Sequence, residues 1–377
     1  MKNNKLYAYY FPNWHVDPKN EKWHGKGWTE WNLVKYATPR FEGHIQPKVP
    51  VWGCEDESNP KVMEKKIDAA KVHGLDGFIF DWYWHTDGPY LKRCLEEGFL
   101  GAPNNEELEF GVMWCNHAWM PNHPAAKKRD TVSCAESTAT KELFKELTQY
   151  CIDHYFSRPN YMKVDGKPYF SMYLPLDFIR EMGKDGAGEA VRDFKERAVA
   201  AGHPGVHFNI SASFWFRDIM SNVQILNIEE INEVLDILDV DSISTYGWDQ
   251  PDSFPTYEFA EALEPACGKY IERCKAKKPV TPTVVTGWDP SPRTVQSETY
   301  EKGRYPFTPI GINNTPEVFE NSLHRMHQLA VENNAPFITI TAWNEWTEGN
   351  YLEPCSEYGY GMLEAVKRFK NSIKNCD

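Results

Sequence analysis

Positive charge is scarce in this chain. Across 377 residues, 41 Lys and Arg face 54 Asp and Glu, a formal net charge of −13. A groove for nucleic-acid phosphates needs a basic surface, so nucleic acid is excluded as a partner. Long apolar runs are missing too. The longest are about strand length, short of the ~18 residues that a membrane helix requires, so no membrane partner is expected. No low-complexity tract occurs, and 41% hydrophobic and 14% aromatic residues argue against disorder. Nine cysteines are irregularly spaced, with no CxxC pair, which reads as reduced thiols rather than a disulfide framework. The polar start Met1–Lys5 lacks an apolar signal-type stretch. A cytoplasmic location is therefore expected, or a periplasmic or secreted one for a chain trimmed of its signal. The sequence has no GxSxG elbow, HExxH helix, Walker A loop or complete GxGxxG, and no tight His/Cys cluster. Nothing calls for a metal ion or a cofactor.

What is present is alternation. Apolar segments of strand length recur at Leu6–Phe11, Gly77–Trp84, Glu109–Cys115, Pro168–Tyr173, Val206–Ala212, Asp241–Tyr246, Val280–Thr286 and Phe337–Trp343. Amphipathic segments intervene at Pro60–His73, Ser137–Tyr155, Gly188–Ala201, Glu229–Leu238, Glu258–Lys275, Pro316–Asn333 and Tyr358–Ser372. Eight strands alternating with helices predict an α/β fold, a (β/α)8 barrel, rather than a doubly wound sheet. No linker breaks the chain, so residues 1–377 are expected to form one domain. The connection Pro12–Asn59 is too long for an ordinary loop and carries Trp14, Trp23, Trp28, Trp31 and Trp52. It reads as an ordered lid or pocket wall, with Trp28 or Trp31 expected to cover the bound ligand.

Barrel chemistry gathers at the C-terminal strand ends. Tyr10 ends the first strand, and Asp81, Trp82 and Trp84 the second. Asn116 and His117 follow the third, Tyr173 ends the fourth, and Trp215 follows the fifth. Tyr246 and Trp248 follow the sixth, and Trp288, Asp289 and Arg293 the seventh. Any one of these aromatics suits a core. As a set recurring at one end of the barrel, they suit a carbohydrate: indole and phenol planes cover the apolar faces of a pyranose, while Asp, Asn, His and Arg bind its hydroxyls.

The eighth strand runs into Trp343-Asn344-Glu345-Trp346-Thr347-Glu348-Gly349. Glycoside cleavage generally needs one carboxyl to protonate the leaving oxygen and another as base or nucleophile. On a straight strand, positions three apart face opposite sides. A turn at Trp346, which Gly349 makes feasible, lets Glu345 and Glu348 share one pocket.

These segments resemble the WbsX-like proteins of bacterial polysaccharide gene clusters, which look related to glycoside hydrolase family 99. The matching stretches are Tyr9-Tyr10-Phe11-Pro12, Gly25 to Trp31, Gly43 to Pro47, Gly74 to Phe78, Asp81 to Trp84, Gly166 to Tyr169, Gly287-Trp288-Asp289 and Trp343 to Pro354. The resemblance implies a (β/α)8 barrel and retaining hydrolysis of an α-manno-configured glycoside, an α-mannoside or α-L-rhamnoside. It implies that Glu345 is a base towards the substrate's own 2-hydroxyl. Glu348 would be the acid on the leaving oxygen, and the intermediate a 1,2-anhydro sugar. It further implies that Tyr10, Asn116, His117 and Tyr246 surround the reacting sugar. Asn344 and Trp346, which flank Glu345, are expected to contact the substrate as well. WbsX-like proteins also carry a glycosyltransferase label, so a transferase is the alternative within enzymes. A non-catalytic sugar-binding barrel is the alternative outside them.

Overall fold

The computed structural model describes residues 5–119, 123–128, 137–212 and 226–374. Among these, eight parallel strands follow chain order: β1 (Leu6–Tyr10), β2 (Gly77–His85), β3 (Glu109–Trp114), β4 (Lys167–Met172), β5 (His207–Ser211), β6 (Ser242–Ser244), β7 (Thr283–Val285) and β8 (Ile338–Thr341). They pair in the order β7-β8-β1-β2-β3-β4-β5-β6. The parallel bridge Ile243–Val280 joins β6 to the approach of β7 and closes the barrel.

The helices lie between the strands. After β1 come α1 (Pro18–His24), α2 (Trp31–Tyr36) and α3 (Pro60–Val72), and after β3 comes α4 (Lys141–His154). After β4 come α5 (Pro175–Met182) and α6 (Lys184–Ala200), and after β5 comes α7 (Ile228–Ile237). The last three, α8 (Leu263–Arg273), α9 (Pro316–Glu332) and α10 (Gly361–Lys374), follow β6, β7 and β8. Local sequence explains their starts. Asn59 and Thr315 cap helices that open with Pro60 and Pro316, and Asn227 makes a capping box with Glu230.

A barrel strand is buried on both faces, and β2 is buried along all nine residues. Its period of two then decides what points where. Phe78, Phe80, Trp82 and Trp84 pack outward among the helices, whereas Ile79 and Tyr83 belong to the inner cluster. On β1, Leu6, Ala8 and Tyr10 face out and Tyr7 and Tyr9 face in.

This parity corrects three expected sugar contacts. Tyr10 is fully buried against Phe78 and Phe80, its hydroxyl 3.2 Å from Met63 Sδ of α3. Trp82 and Trp84 pack on Tyr150 of α4. None of the three faces the barrel interior.

The long first connection is ordered, as its tryptophans suggested, but Trp31 is no lid. Its ring packs 4.2 Å from Trp14 and 6.1 Å from Trp346, and its Nε1 donates to Glu55 O at 2.9 Å. Trp28 stacks on His24 of α1. Trp215 lies outside the described residues.

Trp31→Ala should therefore act on stability, costing about 3–5 kcal/mol as a large-to-small change in a closed aromatic cluster. Thermal or urea unfolding measures it. A loss under ~1 kcal/mol would return Trp31 to the surface role that its loop position suggests.

Candidate active site

The chain turns soon after β8 ends at Thr341. Asn344–Glu345 pairs antiparallel with Asn350–Tyr351, and Trp346–Glu348 between them forms one turn of 3-10 helix. Gly349 closes the turn at φ 62°, where a Cβ would stand 2.7 Å from Asp289 Cβ, so a side chain is excluded on two grounds. The turn gathers Glu345 and Glu348 around one cation, where a straight strand would have parted them.

That cation is Arg293, in the loop after β7. Its Nη1 donates to Glu348 Oε1, and its Nη2 lies 3.7 Å from Glu345 Oε1. Its Nε donates to Thr347 Oγ1 at 2.9 Å and to Glu30 Oε1 at 3.2 Å. Tyr305 Oη accepts from Arg293 Nη1 and donates to Glu348 Oε1, each at 2.5 Å. Glu30 is tied in further by Asn13 Nδ2 and Thr347 Oγ1, both at 2.9 Å. On the other side, Tyr246 Oη lies 2.8 Å from Asp81 Oδ2 and 3.2 Å from Glu345 Oε2.

Four buried carboxyl groups thus share this neighbourhood with one guanidinium. Burial and the neighbouring carboxylates disfavour the charged forms of Glu345, Asp81 and Glu30, so these three hold their protons more tightly. Burial, then the Glu348 charge, hold Glu345 well above the usual carboxylate range against the pull of Arg293. Burial pushes Asp81 up to about 8, partly offset by the Tyr246 hydroxyl, and raises Glu30 despite Arg293. A site that keeps protons on carboxyl groups near neutral pH is suited to general acid–base chemistry.

The other expected residues divide into two kinds. His117, Tyr173 and Tyr246 stand together: the Tyr173 ring meets Tyr246 at 5.7 Å and His117 at 6.0 Å. Burial lowers the His117 pKa, which favours a neutral imidazole. Trp288 packs beside Tyr305 and, with Glu348, Tyr246, Trp248 and Phe259, borders a cavity of about 30 Å³.

The remainder hold backbone. Asn116 bonds both N–H and C=O of Leu174, at 2.7 and 2.8 Å. Asn344 does the same to Phe11, at 2.9 and 2.8 Å. Trp346 is fully buried, stacked 3.8 Å from Tyr351. Asp289 accepts from Gln46 at 2.6 Å and pairs with His44 at 2.9 Å. Burial opposes its ionisation, but His44, Ser291 and Gln46 still hold its pKa below the usual range. The first connection is fastened to the site through these bonds. Asn116, Asn344, Trp346 and Asp289, each expected to contact sugar, thus also hold strand ends and loops in place.

Four residues of the site were not anticipated: Glu30, Tyr305, Tyr9 and Tyr83. Tyr9 meets Tyr246 at 4.8 Å, and Tyr83 meets His117 at 5.9 Å. Strand parity relative to Asp81 would have found Tyr83. Glu30 sits inside the Trp28-Thr29-Glu30-Trp31 segment, a carboxylate enclosed by indoles. No local signal marks Tyr305. Among the described residues, no cluster of three His, Cys, Asp or Glu could hold a metal ion. None of their helices is long and apolar enough to cross a membrane.

Comparison with known proteins bears on this arrangement. A family model described as Glycosyltransferase WbsX matches residues 6–366. Two proteins named "Uncharacterized protein WxcX", from two strains of Xanthomonas campestris pv. campestris, are 26% identical over 388 residues, covering 96% of this chain and 49% of theirs. The chain thus spans about half the length of these curated relatives. A GH99 endo-alpha-mannosidase from Bacteroides thetaiotaomicron superposes with a TM-score of 0.61 at 14% identity, over 100% of this chain and 98% of that one. A "Glycoside hydrolase-like protein" gives 0.60 at 14% identity, over 98% and 94%. At such identities the structural likeness speaks for the barrel alone.

The Asp81 carboxyl makes a testable demand on stability. It keeps its proton to about pH 8 when folded, and releases it near pH 4 when unfolded. Its contribution is therefore fully present below ~4 and is lost as pH rises towards ~8. Asp81→Asn removes that loss. Its melting temperature should gain on the native protein as pH rises from about 5 to about 8. A difference independent of pH would show that Asp81 is ionised in the fold.

Proposed function

The chain belongs to the WbsX family, and we propose that it is a glycoside hydrolase acting on an α-manno-configured glycoside, an α-mannoside or α-L-rhamnoside within an oligo- or polysaccharide. We propose further that residues 1–377 act as one catalytic (β/α)8 domain. The observation that carries this reading is the buried pair Glu345 and Glu348 on one turn at the barrel mouth, with Arg293 between them. Two such carboxyls are the equipment of glycoside cleavage. The structural likeness to an endo-alpha-mannosidase is consistent with it.

In the proposed mechanism Glu345 takes the proton of the substrate's 2-hydroxyl, whose oxygen attacks the anomeric carbon and closes a 1,2-anhydro ring. A hydroxyl is a poor proton donor, so the base should be strong. Burial raises the Glu345 pKa, so the ionised fraction that acts is a minority near neutral pH but a stronger base than an ordinary carboxylate. Glu348 gives its proton to the departing oxygen, and Arg293 and Tyr305 stabilise the carboxylate left behind. Water, deprotonated by Glu348, then attacks the anomeric carbon and opens the anhydro ring with net retention, while Glu345 returns its proton to the 2-oxygen. Asp81 and Tyr246 orient Glu345, while His117, Tyr173, Trp288 and Trp28 are proposed to contact sugar. The seven described cysteines are free thiols, which suits a cytoplasmic protein.

The family's description favours a second reading, glycosyl transfer from an activated donor. Incubation with aryl α-mannosides and α-L-rhamnosides, set against nucleotide-activated sugars with an acceptor, separates the two. Release of free sugar from the aryl glycosides supports hydrolysis. Transfer without such release supports the alternative.

Glu348→Gln should abolish cleavage of glycosides with poor leaving groups and spare activated aryl glycosides more. On the latter, loss of the Glu348 charge should lower the Glu345 pKa, so the acid limb of the rate profile should move to lower pH. An unmoved limb would mean that Glu345 is not the titrating base. A 2-fluoro glycoside lacks the attacking oxygen and should be inert, leaving no adduct by mass spectrometry. A stable adduct on Glu345 would identify it as a nucleophile instead.

A further inference from the structure

On the helix side of the barrel wall, behind the catalytic turn, lies a second buried charge cluster that the mechanism does not use. Lys66 of α3 is 1% exposed. Its ammonium pairs with Glu57, which precedes the helix, and lies 2.6 Å from Oε1 of Glu353, which follows the turn. Taking three charges out of water is costly, and a well-packed apolar group often does as well for stability alone. The interface between α3 and the barrel does not need these charges for packing.

What the two carboxylates hold is specific. Glu57 accepts from Asn344 Nδ2 at 3.1 and 3.3 Å. Glu353 Oε2 accepts from Trp346 Nε1 at 2.7 Å. Asn344 and Trp346 are the neighbours of Glu345 on either side. Each is therefore fastened through one carboxylate to the same ammonium. Burial pushes the Glu57 carboxyl up to about 7 even with Lys66 beside it. Without the ammonium, burial would drive a proton onto Glu57, its bond from Asn344 would weaken, and the grip on the turn would loosen.

We infer that Lys66 is a positioning residue for Glu345, setting the direction of that carboxyl from the far side of the barrel wall through Glu57–Asn344 and Glu353–Trp346. The inference rests on the proposed role of Glu345 as the base. Small displacements matter there: a misplacement of ~1 Å can cost about 100-fold in rate.

The test uses Lys66→Met, Lys66→Arg, Glu353→Gln and Trp346→Phe, each checked for folding by circular dichroism and thermal melting. Trp346→Phe removes the N–H donor together with one of the two fused rings, and keeps a ring against Tyr351. On an aryl glycoside that the native protein cleaves, kcat should fall about 10- to 100-fold with KM within ~2-fold, and Lys66→Arg should recover part of the loss. A folded Lys66→Met with native kcat overturns the inference, as does a loss confined to KM. If Lys66→Met does not fold, Trp346→Phe and Glu353→Gln decide by the same criteria. A second readout needs no turnover. Carbon-13 NMR titration of the Glu345 carboxyl should shift in every folded variant except Lys66→Arg, and an unchanged titration overturns the inference. If the native protein cleaves no glycoside, the hydrolase reading fails, and the titration still decides whether Lys66 orients Glu345.

Discussion

The site is organised by one guanidinium set among carboxyl groups that could not otherwise be buried together. Arg293 touches Glu30, Glu345 and Glu348 and lies over the Phe11 ring at 5.4 Å. Like charges in a dry cavity repel and hold protons. A single cation inside the group lets some carboxyls ionise while others stay neutral. That division of charge is what acid–base cleavage of a glycoside requires. Arg293 also reaches across the fold. It joins the loop after β7 to the turn after β8, and through Glu30 to the long connection after β1.

The rest of the barrel mouth serves to hold that group still. Side-chain amides clamp neighbouring backbone at two strand ends, Asn344 on Phe11 and Asn116 on Leu174. Asp289 gathers His44 and Gln46 from the first connection and approaches the turn so closely that only glycine fits at 349. Trp31, Trp14 and Trp346 fill the space beneath. Many residues that look like sugar contacts in the sequence are this scaffold. An aromatic or amide at a strand end is as useful for fixing a loop as for binding a hydroxyl.

The barrel was legible because each strand and most helices carry their own period and caps. Among the described residues, the short helices α1, α2 and α5 escaped notice, and α1 and α2 lie within a connection that already looked ordered. The carboxyl pair was legible because two carboxylates flanked by tryptophan follow an apolar strand. Side-chain direction was harder to read. Tyr10 and Tyr9 are adjacent and chemically alike, and only strand parity sends one to the helices and the other to Tyr246. The same parity separates Trp82 and Trp84 from Asp81 and Tyr83. Glu30 and Tyr305 were missed because both meet the site through Arg293, 263 and 12 residues away along the chain, with Tyr305 also reaching Glu348. Long-range partners of this kind leave no trace in local pattern.

The central claim is that the Glu345–Glu348 pair cleaves an α-manno-configured glycoside with retention. Proton NMR of the anomeric signal during the first minutes of hydrolysis of an aryl α-mannoside or α-L-rhamnoside tests it most directly. The α-anomer of the free sugar should appear first and only later mutarotate, and Glu345→Gln should produce none. First appearance of the β-anomer, or undiminished hydrolysis by Glu345→Gln, would contradict it.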